Sequence, residues 1–205
     1  MSEELNQVIY TKQVIEFVTV SNEFCSFVEE AGSMEPKKML EIAQKILPLL
    51  YLKTSMLPEP PEAEHEAYLE CFVTEVDYAY LQGRIRNLLG EHDDFKEVFT
   101  ADMQYAEEAL SESISESMLD IYQDLKNFIM NYRTADDEVM QDALGECIAN
   151  FKLYWGQRLV NVQRPIHELI YGDVDFEQDV RIKSDEEYEN PIPDWLAGKY
   201  DISGE

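Results

Sequence analysis

Residues 136–171 read DDEVMQDALGECIANFKLYWGQRLVNVQRPIHELIY. Val139, Ala143, Leu144, Cys147, Ile148, Phe151, Trp155, Leu159, Val162, Ile166 and Leu169 recur there at steps of mostly three and four. At 3.6 residues per turn that spacing gathers them on one face of a helix. Pro165 predicts a bend in its last turns, because it lacks the N–H that would bond one turn back.

Working outward, 101–132 carries a second long stripe: Met103, Ala106, Leu110, Ile114, Met118, Ile121, Leu125, Phe128, Ile129 and Tyr132. A helix is predicted over Thr11–Ala31 from Val14, Phe17, Val18, Ser21, Phe24, Cys25 and Val28, with Gly32 as its stop. Another begins near Glu35, with Pro36 in its first turn and Pro48 expected to kink or end it. Its apolar residues lie nearly all round, which predicts a central, surrounded helix. The proline-rich stretch PEPPEAEHE at 58–66 reads as a polar linker, followed by a helix over Glu66–Leu89 that Gly90 ends. Residues 91–100 read as a short helix or a turn, and no stretch shows convincing strand alternation. The fold class is therefore all-α: a single-domain antiparallel bundle of about five amphipathic helices over 1–172.

The segment 173–205 differs. It holds eleven acids against three bases and alternates Val174, Phe176, Val180 and Ile182 with charges. It is expected to be an extended acidic C-terminal arm that packs back through Trp195 or serves a partner. The whole chain of 205 residues carries a formal net charge of −27 with 45% hydrophobic residues. Such acidity excludes direct binding of nucleic acid, which needs clustered Lys and Arg, and docking on anionic membranes. No stretch reaches the roughly 18–20 apolar residues that a membrane span requires. The acidic N-terminus is unlike a secretory signal. Cys25, Cys71 and Cys147 each sit within an apolar helical pattern and read as reduced core residues of a cytoplasmic protein.

Motifs for chemistry are scarce. The single Glu-x-x-His, Glu62 to His65, lies in the linker, so a di-iron bundle lacks its second copy. His65, His92 and His167 are isolated, and no Cys-x-x-Cys exists for zinc. Asp175, Glu177, Asp179 and Glu186 imitate part of a calcium loop, but Val180 stands where glycine is required. The acids Glu107, Glu108, Glu112 and Glu116 read as a solvated face. No phosphate-binding loop or nucleophile motif is present, and the sequence implies no cofactor.

The least ordinary stretch is KLYWGQRLVNVQRPIH, residues 152–167. Tyr154, Trp155, Arg158, Arg164 and His167 form a candidate basic and aromatic binding patch. The competing reading pairs Arg158 and Arg164 with surplus carboxylates such as Asp120 or Asp124, and makes His167 an interior or boundary residue. Gly156 reads as a point of close helix approach. Arg84 and Arg86 form a second, smaller basic spot. Gly145, inside the long helix, has no assigned role.

The stretches FVTVSNEFCSFVE (17–29), ILPLLYLKTSMLP (46–58), FVTEVDYAYL (72–81), ISESMLDIYQDLKNF (114–128) and YWGQRLVN (154–161) together resemble an uncharacterised Bacteroidetes domain-of-unknown-function family. The resemblance spans about residues 8–172 and implies a stand-alone domain. It implies no activity, cofactor or catalytic residue.

The expected function is a non-enzymatic acidic helical protein that binds the basic surface of a protein partner, as an interaction or regulatory module. The alternative is a site for a small anionic ligand, or an enzymatic one, near Trp155, Arg158, Arg164 and His167, with Lys53 or Asp77 contributed from other helices. A third reading is a subunit of a larger assembly of copies.

Overall fold

The computed structural model describes residues 8–60, 67–96, 111–172, 174 and 176. Its helices are α1 (Lys12–Ala31), α2 (Pro36–Ser55), α3 (Glu75–Leu89), α4 (Ile114–Tyr132), α5 (Asp137–Asn150) and α6 (Gly156–Tyr171). A π-helical turn, Phe151–Trp155, joins α5 to α6, so the 136–171 stripe is one continuous helix with one wide turn inside it. The class is all-α, as the periodicity predicts.

One small ribbon interrupts it. Strands β1 (Asp94–Lys96) and β2 (Ser111–Ser113) pair antiparallel, with Asp94 opposite Ser113 and Lys96 opposite Ser111. Three-residue strands are too short to show alternation, which is why the sequence does not announce them. The ribbon delivers Asp93 to the start of α4. Its carboxylate accepts from the Ser115 backbone N–H at 2.8 Å and the Ser115 hydroxyl at 2.6 Å. An acid at a helix N-terminus satisfies donors that lack partners within the helix. Helix α4 therefore begins at Ile114, capped also by Ser113, whose hydroxyl accepts from Glu116 N–H. Residues 97–110, where a helix from Ala101 is expected, lie outside the described residues.

Helix α4 is the centre of the bundle, packed by α1, α3, α5 and α6. Its Ile114, Met118, Leu119, Ile121, Tyr122 and Leu125 are fully buried, on more than one face. The expectation that α2 is central is thus corrected. Helix α2 packs on α1 and α6 and turns Pro48, Leu49, Tyr51, Leu52 and Met56 outward. Its length of apolar residues reflects an exposed flank, not a surrounded position. Neither Pro48 nor Pro165 ends its helix.

The third helix also starts later than expected. Thr74 caps α3 in a capping box with Asp77, and residues 67–73 before it are not helical. The four-residue connection 32–35 makes α1 and α2 an antiparallel hairpin, as 133–136 does for α4 and α5. Gly32 at the first turn has helical φ and ψ (−65° and −6°), so it is no left-handed stop. Its hydrogen faces Arg84 instead, whose Cβ would stand 2.5 Å from an added side-chain carbon.

Cys25 and Cys147 are buried as expected. Cys71 is exposed in the non-helical segment, which corrects its placement in the core. Of the arm 173–205, the described residues include only Val174 and Phe176; Trp195 lies outside them. Phe176 packs against the core and meets the His92 ring edge-on at 5.2 Å.

Candidate functional site

The wide turn at Phe151–Trp155 sets the geometry of the patch. Gly156 N–H bonds to the Phe151 carbonyl, five residues back. A side chain at Gly156 would meet that carbonyl and approach the Phe151 ring to 2.8 Å. Glycine here serves the turn itself and not a close approach of two helices, which corrects the sequence reading. Trp155 is fully buried, and its indole N–H donates to the Cys147 carbonyl at 3.2 Å. It is part of the core and offers no face to a ligand.

Tyr154 and Arg158 point the other way, toward α4. The Tyr154 hydroxyl donates to Asp120 Oδ2 at 2.6 Å, and Arg158 Nε lies 3.4 Å from the same oxygen. From α3, the Tyr78 hydroxyl donates to Asp120 Oδ1 at 2.8 Å. Arg158 also forms an ion pair with Glu112 of β2 and stands over the Tyr154 ring at 5.5 Å. Burial, reinforced by the adjacent Asp120, pushes both phenols well above the usual tyrosine range.

The pairing of Arg158 with Asp120 follows the competing sequence reading. Its other partner, Glu112, is only 16% exposed, so that acid is not part of a solvated face. Asp124 bonds to Asn150 Nδ2 at 2.8 Å instead. Among the described residues Arg164 reaches Glu168, one turn along its own helix at 3.4 Å. His167 is exposed and stacks near Tyr171 at 4.6 Å, not in the interior. Lys53 pairs with Glu16 at 2.6 Å, and Asp77 serves the α3 cap, so neither is brought to Arg158. The structure thus unites Tyr154 and Arg158, buries Trp155 behind them, and leaves Arg164 and His167 apart.

What the arrangement can do follows from its charge. Arg158 faces two carboxylates, and Glu116 and Asp124 of α4 act on its neighbour Tyr154. An anion approaching Arg158 would meet a surplus of like charge. Among the described residues no group of His, Cys, Asp and Glu side chains could hold a metal ion.

A second polar constellation had no sequence signal. Residues 67–73 lie across α4 and α5 as a strap. Asn131 Oδ1 accepts from Glu70 N–H at 3.1 Å, while its Nδ2 donates to the Glu70 carbonyl at 2.9 Å. One turn earlier, Asn127 Oδ1 accepts from Phe72 and Val73 N–H at 2.8 and 3.2 Å. Asp142 of α5 accepts from Ala67 N–H at 2.6 Å. Two strap residues per helical turn is extended spacing, since about 6 Å of helix matches two residues at 3.3 Å. A space of about 80 Å³ remains beneath the strap, lined in part by Glu70, Asp124, Asn127, Glu146 and Asn150. Gly145 faces the neighbouring groove, within ordinary contact distance of Pro60.

Fold and site together define an acidic all-α bundle whose central helix organises both polar constellations. The chain belongs to the family described as a domain of unknown function (DUF5063), which matches residues 8–172. It is similar to the crystal structure of protein BF1032 from Bacteroides fragilis, a structural genomics target, at 42% identity and a TM-score of 0.71. That similarity covers 82% of this chain and 98% of the other. None of the curated proteins matches it. No helix among the described residues is long and apolar enough to cross a membrane.

Proposed function

We propose that this protein is a non-catalytic acidic interaction module of the cytoplasm that binds a basic surface on another protein. The observation that carries the reading is the excess of carboxylates left after several bases are paired within the chain. Lys53, Lys126, Lys152, Arg158 and Arg164 are each taken up by a carboxylate of the same chain. The acids outnumber them, so the outward field stays strongly negative. On α5, Glu138, Asp142 and Glu146 recur every four residues along one face, beside exposed Tyr68. A field of that sign speeds encounter with a basic partner and is screened by salt. A small-anion site at Arg158 has weaker support, because Glu112 and Asp120 already neutralise that guanidinium and Trp155 is buried.

The test is capture of proteins by the full chain at about 50 mM and about 500 mM salt, spanning the change from weak to strong screening. A parallel bait carries Glu138→Lys and Glu146→Lys. A basic partner held at low salt, released at high salt and lost with the reversed charges is the expected result. Bound proteins that are acidic, or binding indifferent to salt and to both substitutions, would overturn the reading.

A further inference from the structure

We infer that the groove between α4 and α5 is a receptor for an extended basic segment of a partner protein, with residues 67–73 as its resident stand-in. The inference rests on the acidic interaction reading and adds the surface and the form of the partner.

The strap is held by its main chain. Asn131 reads both the N–H and the carbonyl of Glu70, Asn127 reads two successive N–H groups, and Asp142 reads Ala67. Any extended peptide offers the same groups at the same spacing, so these contacts carry little sequence preference. The strap's own side chains add a shallower grip: Leu69 and Val73 touch the core, but no side chain of 67–73 is fully buried. Tyr68 is 87% exposed, Glu70 and Cys71 are exposed, and Leu69, Phe72 and Val73 are only half-buried. An element with few buried apolar contacts opens at lower free energy than the helices beneath it.

Charge supplies the identity of the incoming segment. Glu70 shares the lining of the space beneath the strap with Asp124 and Glu146, and Asp142 holds the strap's first residue. The resident segment therefore places an exposed acid at the rim of an acidic space. A Lys or Arg at the Glu70 register would meet Asp124 and Glu146 with opposite charge. The unfilled space of about 80 Å³ leaves room for a longer side chain or for water.

The test uses the full chain and a fluorescent peptide, Ala-Tyr-Leu-Lys-Ser-Phe-Val, which copies the strap with Lys for Glu70 and Ser for Cys71. Binding is measured by anisotropy, and hydrogen exchange follows the amides of 67–73. The expected result is binding that deprotects the strap amides while α4 and α5 keep theirs. Asp124→Asn with Glu146→Gln should weaken the peptide about tenfold or more, because these acids attract its Lys and have no such attraction for Glu70 of the resident strap. Glu70→Lys, an exposed change that leaves the fold intact, should improve the resident strap and weaken the peptide about fivefold. No binding at millimolar peptide, binding that leaves strap protection unchanged, or affinity indifferent to both variants would overturn the proposal. A basic partner still captured in a salt-sensitive way by the Asp124/Glu146 variant would sink the groove while leaving the acidic reading standing.

Discussion

The Tyr154 hydroxyl donates to Asp120 across 2.6 Å, from a π-helical turn to the central helix of the bundle. Asp120 takes a second phenol, Tyr78, on its other oxygen, and Arg158 alongside. One carboxylate therefore ties α3, α4 and α6 together. Its removal strands three donors at once, two of them on partly buried phenols. Asp120→Ala should cost about 2–3 kcal/mol in urea denaturation at neutral pH.

The same constellation predicts alkaline sensitivity. Tyr78 and Tyr154 hold their protons more tightly in the fold than in the open chain, where a phenol titrates near 10.0. Their contribution to stability is complete below pH 10 and falls as pH rises above it, because the unfolded state ionises first. Denaturation midpoints should hold between pH 8 and 9.5 and drop above 10. Tyr78→Phe with Tyr154→Phe should flatten that drop.

Asp124 gives the same sign at lower pH among the carboxyls. Burial pushes its carboxyl up to about 6, aided by Glu146 and Asp120 and opposed by the bond from Asn150. A carboxyl whose folded value is raised favours the fold most below its open-chain value of 3.8, and that contribution disappears as pH rises through 6. Asp124→Asn keeps an acceptor for Asn150 and removes the charge. It should stabilise the protein by about 1–2 kcal/mol at pH 7.5, after allowance for partial solvent screening, and by much less at pH 4.5.

Gly156 tests the wide turn. In an ordinary helix, Gly→Ala stabilises by about 1 kcal/mol. Here the new carbon meets the Phe151 carbonyl and ring, so Gly156→Ala should destabilise by about 2 kcal/mol or more. Equilibrium unfolding gives the sign directly.

Ala135, in the connection between α4 and α5, sits at φ 59°. A side chain there carries a left-handed penalty of about 1–2 kcal/mol, which exceeds the extra chain freedom of glycine. Ala135→Gly should raise stability by about 0.5–1 kcal/mol, read as a shift in denaturation midpoint.

The long helices were legible because a stripe of three and four spacing is a local property. Phe151 and Trp155 are four apart, which satisfies an ordinary helix, so the extra residue in their turn left no trace in the pattern. The strap reads as helix in the sequence for a related reason. Leu69, Phe72 and Val73 have helical spacing, yet their segment takes its hydrogen bonds from Asn127 and Asn131, more than fifty residues away. No local periodicity encodes a side-chain amide reaching that far. At the patch, the pairing of Arg158 with an α4 carboxylate was readable from charge surplus. Tyr78 and Glu112 were not, because the helix and ribbon that bring them there meet only in the folded chain.

The wide turn also fixes how this chain can change length. Each residue of an α-helix advances the azimuth by about 100°. The turn at 151–155 absorbs one extra residue without turning the rod beyond it, so the buried faces of α5 and α6 stay aligned across it. Dropping one residue from Lys152–Tyr154 would restore a regular spiral and leave Leu159, Val162 and Ile166 facing the interior. A single-codon deletion would be better tolerated there than elsewhere in α5 or α6, where each lost residue turns the rest of the rod by about 100°.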